Sequence, residues 1–213
     1  MARTERNQAQ KRHSRVQARP RRATVVHDGS AFQLATDLRS YGFDVVEGPL
    51  LSSAAAHDDP GALAVIATRS GVTRNERLRE WTHQLCWTGA TLLAVGAAVG
   101  PVAEFFGAPR TDPSEPRVGG RLTNVASVSQ GLFCGLPGEF RLALAAGDRF
   151  PVSDLSTEFG ATAWSQDGEL IGASHVFRPV HLLHAAALES SEVRPVVLRN
   201  LLRLLRERGG RAF

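Results

Sequence analysis

The sequence predicts an α/β protein with a mostly parallel central sheet and helices on both faces. Short apolar, β-branched runs alternate with stretches of helical spacing through the first half of the chain. This alternation is typical of strand–helix–strand units in a parallel sheet covered on both faces. A chain of 213 residues, 43% of them hydrophobic, can bury one good core. We therefore expect one folded domain.

The first half of the chain alternates four strands with three helices. Apolar runs predict strands at 23–26, 43–46, 63–67 and 91–95. Helical spacing of apolar residues predicts helices at 32–41 and 75–88, and a third helix follows at 101–107. Gly42 ends the first helix, because glycine readily adopts the left-handed conformation found after helix C-termini.

The second half of the chain changes pattern and predicts a small antiparallel portion. Segments 121–125, 140–144 and 180–183 are strand-like, and 161–173 is a hairpin that turns at Asp167-Gly168. A closing helix is predicted at 195–208. Its buried stripe consists of Leu198, Leu201, Leu202 and Leu205.

The positive charge of the chain is concentrated at its beginning. Residues 1–22 contain eight Lys or Arg and one acid, whereas the whole chain has a net charge of only +4. This segment lacks periodic apolar residues, so we expect a disordered basic tail at 1–22 and the domain at 23–213. The tail is either a solubilising extension or an arm for weak contact with nucleic acid or an acidic surface.

Composition excludes several other classes of protein. No apolar run is long enough to span a bilayer and no signal-type segment follows the N-terminus, so we expect a cytoplasmic protein with no membrane contact. Cys86 and Cys134 form neither a disulfide framework nor a metal-ligand spacing. His181 and His184 would lie on opposite faces of a strand, which makes them poor joint metal ligands. No phosphate-binding glycine motif occurs, and we expect no cofactor and no metal.

The most informative segment is the strand that runs into a tight turn of small residues at 96–100. A helix comes directly after the turn. This is the layout of a nucleophile elbow, in which a reactive side chain lies on a strained strand-to-helix turn. The residue at the tip is Gly96, which has no side chain. The segment therefore resembles an enzyme scaffold that lacks its nucleophile.

Four stretches in order resemble a known family over residues 23–206. They are Leu38-Arg39 with Gly42, the elbow with Glu104 and Phe106-Gly107, the Gly-Leu-Phe-Cys-Gly-Leu-Pro loop at 131–137, and the hairpin at 162–175. The family is the class I glutamine amidotransferases, in particular the small glutaminase subunit of anthranilate synthase and aminodeoxychorismate synthase. The resemblance implies a flavodoxin-like amidotransferase fold.

The resemblance also implies a catalytic triad of cysteine, histidine and glutamate, which this chain has lost. The family's cysteine falls on Gly96. When the alignment is counted from Pro179, the histidine falls on Ala186 and the glutamate on Leu188. A shift of one or two residues brings His184 or Glu189 close, but no shift restores the His-x-Glu spacing.

The family's oxyanion loop, Pro-Gly-Pro-Gly, aligns with Thr68-Arg69-Ser70-Gly71. Here Arg69 replaces a glycine whose N–H must approach the substrate. Any vestigial pocket would consist of Arg69, Ser70, Gly71, Gly96, Ala97 and Ala98.

The sequence therefore predicts a pseudoenzyme: a catalytically inactive amidotransferase-like protein acting as a non-catalytic subunit or regulator. The resemblance implies a synthase-type protein partner, such as a chorismate-using synthase. Two alternatives stay open. Small and apolar residues in place of the triad could leave a roomier, more apolar cleft around Gly96 that binds or converts another small molecule. If the alignment misleads, the chain could be an active glutaminase subunit.

Overall fold

The computed structural model describes residues 21–28, 33–49, 61–68, 76–109, 120–144 and 149–209. The first strand begins at Arg21, so the predicted boundary at residue 22 falls inside it. The rest of the predicted tail, 1–20, lies outside the described residues, and so do Arg69, Ser70 and Gly71.

The described elements alternate in the first half as the sequence predicts. The strands are β1 (Arg21–His27), β2 (Phe43–Pro49), β3 (Leu63–Thr68), β4 (Thr91–Gly96), β5 (Arg121–Ser127), β6 (Glu139–Leu144), β7 (Phe159–Ser165), β8 (Leu170–His175) and β9 (Val180–Leu183). The α-helices are α1 (Leu34–Ser40), α2 (Glu76–Thr88), α3 (Val99–Phe105), α4 (Ala185–Glu189) and α5 (Val193–Gly209). Short 3-10 turns occur at Gly131–Phe133 and Val152–Asp154.

The nine strands of the described residues form one sheet in the order β2-β1-β3-β4-β9-β8-β7-β5-β6. The first five strands in this order are mutually parallel. The other four continue the sheet with antiparallel pairing. The predicted α/β class is therefore confirmed. The antiparallel portion is larger than a hairpin, because β5 pairs with β7 on one side and with β6 on the other.

Helices cover both faces of the parallel part, as predicted. On one face α1, α4 and α5 pack in a single core cluster against β1, β3, β4 and β9. On the other face α2 and α3 pack in a second cluster. β3 is buried at every position, which explains its uninterrupted apolar run. The predicted stripe on α5, from Leu198 to Leu205, is buried in the first cluster.

The structure differs from the sequence-based expectation after β9. The short helix α4 was not predicted, and His184 is its N-cap rather than a strand residue. Its side chain accepts a hydrogen bond from the Ala186 N–H at 3.1 Å. The inference that His181 and His184 share a strand is therefore wrong, because a capping bond turns the chain into a helix directly after β9.

His181 is a buried histidine on β9. Its Nδ1 lies 2.9 Å from the Ser174 hydroxyl of β8, and the residue is only 8% exposed. Burial, with a smaller contribution from the Arg208 guanidinium of α5, lowers the pKa of His181 from 6.5 to about 4. The ring is therefore neutral in the folded protein at pH 7.

This histidine makes stability depend on pH. Below pH 6.5 the unfolded chain binds a proton at His181 that the folded chain does not bind until about pH 4. The free energy of unfolding should therefore fall by about 2 kcal/mol between pH 7 and pH 4.5 because of this group alone. Urea unfolding at the two pH values measures the loss. In His181→Asn, which keeps an acceptor for Ser174, the loss should be smaller by that amount; an unchanged loss would contradict the assignment.

Candidate functional site

The elbow lies at the carboxyl edge of the parallel strands, where open α/β sheets bind their ligands. β4 ends at Gly96, which is paired with Thr68 at the end of β3. On its other side β4 pairs with β9, and His184 follows directly after β9. The helix α3 begins at Val99, three residues after Gly96. The strand–turn–helix layout of a nucleophile elbow is therefore present.

Gly96 has a backbone that only glycine adopts easily, with φ at +66°. A Cβ atom placed there would overlap the carbonyl oxygen of Thr68 and would lie 3.6 Å from the Ala185 Cβ. The end of β3 therefore occupies the space that a nucleophilic side chain would need. Residue 96 must be glycine in this arrangement, and a cysteine does not fit unless the end of β3 moves.

The backbone N–H after the elbow is also used internally. In nucleophile elbows this N–H is one donor of the oxyanion hole. Here the Ala97 N–H donates to the same Thr68 carbonyl oxygen at 2.9 Å. Ala98 is fully buried as the N-cap residue of α3, and its carbonyl accepts from the Val102 N–H. The turn is therefore closed by hydrogen bonds within the fold.

Thr68 is the residue on which these contacts converge. Its side chain is fully buried, and its hydroxyl has no hydrogen-bond partner among the described residues. The predicted oxyanion loop continues from it into Arg69, Ser70 and Gly71, which are not described. Thr68 is therefore the described end of the predicted loop, and its carbonyl points at the elbow.

His184 follows β9, the strand that pairs with the elbow strand β4. Its Nδ1 accepts the Ala186 N–H, so its proton must lie on Nε2 when the ring is neutral. Nε2 is 3.3 Å from a carboxylate oxygen of Glu169, whose side chain is only 2% exposed. The other oxygen of Glu169 is 3.7 Å from Nε of Arg149. Both ring nitrogens of His184 are thus occupied by structural partners.

The two residues assigned to the lost histidine and glutamate lie in the core. Ala186 and Leu188 belong to α4 and are 2% and 5% exposed, in the cluster shared with α5. His184 directly follows β9. It lies two residues before Ala186, within the shift of one or two residues that the alignment leaves open. Its acidic partner, Glu169, precedes β8 and has no sequence signal, because only the pairing of β8 with β9 brings the two segments together.

The remaining candidate residues have structural partners. Burial raises the pKa of the half-buried Cys86 thiol, which disfavours the reactive thiolate. The sulfur of Cys134 lies 3.7 Å from an Arg203 guanidinium nitrogen. His175 is 3.0 Å from Glu158 and accepts the N–H groups of Phe177 and Arg178.

In the described part of the chain, no group of three or more His, Cys, Asp or Glu is placed to hold a metal ion. None of the described helices has the length and apolar character needed to cross a membrane.

Two solved structures share this fold at low sequence identity. A Thermoplasma acidophilum protein assigned as one subunit of a GMP synthase aligns with a TM-score of 0.74 and 19% identity, covering 90% of this chain and 96% of that one. A glutamine amidotransferase from Thermotoga maritima aligns with a TM-score of 0.59 and 13% identity, covering 88% of this chain and 85% of the other.

A third solved structure shares the fold at a similarly low identity. A protein assigned as ThuA-like from Bacteroides uniformis is similar at a TM-score of 0.61 and 12% identity, with 86% of this chain and 90% of that one covered. No protein-family profile matches the sequence, and no curated protein matches it. At such low identities the likeness establishes the fold, and function must be argued from the site.

The contact between Gly96 and Thr68 can be tested against a matched glycine. Gly89 has nearly the same backbone, with φ at +72°, but a Cβ there would meet nothing within 4 Å. Gly89→Ala should lower the free energy of unfolding by about 1 kcal/mol from backbone strain alone. Gly96→Ala should lower it by about 3 kcal/mol, because the overlap adds to the strain. Urea unfolding measures both; equal losses would mean that the Thr68 carbonyl does not restrict residue 96.

Proposed function

We propose that this chain is a catalytically inactive amidotransferase-like protein that acts by binding a protein partner. The observation that carries the proposal is the Thr68 carbonyl oxygen in the space of a nucleophile side chain at Gly96. The backbone at the end of β3 leaves no room for a side chain at the tip of the elbow.

The other parts of an amidotransferase site support the same proposal. A general base needs a nitrogen lone pair aimed at the nucleophile, whereas the Nδ1 lone pair of His184 accepts the Ala186 N–H. An oxyanion hole needs unused N–H donors, whereas the Ala97 N–H is bonded to Thr68. Nucleophile, base and oxyanion donor would each require rearrangement before glutamine could react.

The alternative of a remodelled pocket has less support among the described residues. It rests on a roomier cleft around Gly96, Ala186 and Leu188. The Thr68 carbonyl and Ala185 lie against Gly96, while Ala186 and Leu188 pack in the core under α5. The alternative of an active glutaminase subunit lacks a thiol at the elbow, since Cys86 lies on α2 and Cys134 follows the 3-10 turn at 131–133.

Exposed aromatic side chains support a role in protein binding. Trp87 at the end of α2 is 78% exposed and Phe177 before β9 is 87% exposed. Both precede strands of the parallel sheet, so they lie toward its amino edge, opposite the elbow. Large exposed aromatics are enriched where proteins contact partners. A synthase-type enzyme is the partner that we propose, and the similar Thermoplasma protein is itself described as a synthase subunit.

The proposal of inactivity is tested with glutamine. We expect the full chain to release no ammonia from glutamine above the buffer background, measured by a coupled ammonia assay. Gly96→Cys should be equally inactive, because the new side chain meets the Thr68 carbonyl and His184 offers no free base. An intact amidotransferase assayed in parallel is the control. Glutamine-dependent ammonia release by the unaltered chain would overturn the proposal, and Cys86→Ser and Cys134→Ser would then identify the thiol.

The proposal of a partner is tested by native affinity purification from the source cell with mass spectrometry. We expect a synthase-type enzyme in stoichiometric amount with the full chain and with a chain lacking residues 1–20. Trp87→Arg or Phe177→Arg should reduce its recovery at least about fivefold, as loss of an aromatic anchor does at interfaces. Tyr41→Arg is the matched control, since Tyr41 is a 49% exposed aromatic that follows α1. Recovery of no enzyme would contradict the proposal, whereas loss only on removal of 1–20 would favour the basic arm.

A further inference from the structure

The strand β6 forms one edge of the nine-stranded sheet. In the part of the chain that the structure describes, no strand lies beyond it. The Ser127 N–H donates to the Gly138 carbonyl at 2.8 Å, so Gly138 and the even-numbered residues of β6 direct their backbone groups at β5. The odd-numbered residues Glu139, Arg141 and Ala143 therefore direct theirs outward. This outward row can pair with another strand.

Two devices that protect sheet edges, proline and a β-bulge, are missing from β6, which carries the charged residues Glu139 and Arg141. It contains no proline, and its pairing with β5 continues without a bulge from Glu139 to Leu144. On the face that Glu139, Arg141 and Ala143 share, Ala143 lies beside Leu122 of β5, which is 55% exposed. The edge is therefore flanked by exposed apolar surface.

The charge pattern of β6 is self-complementary. If two copies of β6 pair antiparallel about Phe140, Glu139 of each copy lies opposite Arg141 of the other. Both residues are exposed, and their backbone N–H and C=O groups point away from β5. Glu139 of one copy and Arg141 of the other would therefore exchange backbone hydrogen bonds. Opposite charges directly across strands stabilise pairing.

The neighbouring register is disfavoured by the same charges. A pairing centred one residue further along places the two Arg141 guanidinium groups opposite each other, where like charges repel. A pairing centred on Phe140 instead brings two half-buried phenyl rings together. Each ring stacks on Phe133 of its own chain, with centroids 6.1 Å apart. Charge and aromatic contact thus select one register.

We propose that two copies of this chain associate through β6, antiparallel about Phe140, so that one continuous sheet runs through the dimer. This interface is distinct from the exposed aromatics Trp87 and Phe177, which precede strands of the parallel part. It does not rest on the proposed function, since it requires only an open edge and its charges.

Charge reversal tests the proposal by analytical ultracentrifugation over a range of protein concentration. We expect the unaltered chain to dimerise. Glu139→Arg and Arg141→Glu should each raise the dissociation constant about tenfold or more, because both cross-strand pairs become repulsive. The double variant, with both changes, should return to within about threefold of the original value, and an equimolar mixture of the two single variants should form a heterodimer. Circular dichroism melting checks that each variant is folded.

A backbone substitution tests the strand pairing separately from charge. In the proposed register the outward Arg141 N–H donates to the Glu139 carbonyl of the other copy. It makes no bond to β5, so Arg141→Pro should leave the monomer folded, as proline is tolerated at sheet edges. It should abolish dimerisation, whereas Arg141→Ala, which loses the same charge, should only weaken it. A chain that is monomeric up to the highest concentration, or a dimer that is indifferent to charge reversal and to Arg141→Pro, would overturn the proposal.

Discussion

The close approach of the Thr68 carbonyl to Gly96 is the constraint on which the candidate site depends. Parallel pairing places Thr68 directly beside Gly96 at the ends of β3 and β4. The carbonyl oxygen then accepts the Ala97 N–H and occupies the position of a Cβ at residue 96. Only a residue without a side chain permits this contact. The left-handed backbone at residue 96 is a second reason for glycine there. One glycine thus lets this carbonyl lie against the turn into α3, which leaves no room for a Cβ atom at residue 96.

The histidine at the next strand end is held in place in a comparable way. His184 caps α4 through Nδ1 and meets a buried carboxylate through Nε2. A buried carboxylate such as Glu169 is costly unless it is paired, so this contact ties the hairpin to the end of β9. Removing either partner would leave a buried polar group unsatisfied. His184 and Glu169 therefore hold the carboxyl end of β9 against the start of β8.

The sheet has two parts with different consequences for association. The five parallel strands are covered by helices on both faces and present the elbow at their carboxyl edge. The four antiparallel strands extend this sheet, and their even-numbered β6 residues complete the core beside α5 while the odd-numbered ones are exposed. A sheet extended by antiparallel strands ends on an open edge, and the side chains along that edge decide what can pair with it. Both proposed roles of the molecule therefore concern surface contacts rather than chemistry.

The sequence by itself determined the α/β class, the order of the elements and the glycine at the tip of the elbow. These features are local: apolar runs such as 63–67 and the stripe from Leu198 to Leu205 report burial through their spacing. The pairings of β4 with β9 and of β5 with β7, and the contact of Glu169 with His184, were decided only by the tertiary structure. They join segments distant in the chain, and no local pattern encodes a register between them. The carbonyl over Gly96 is of the same kind, because a missing side chain in the sequence does not tell whether its space is empty or filled by a neighbouring strand.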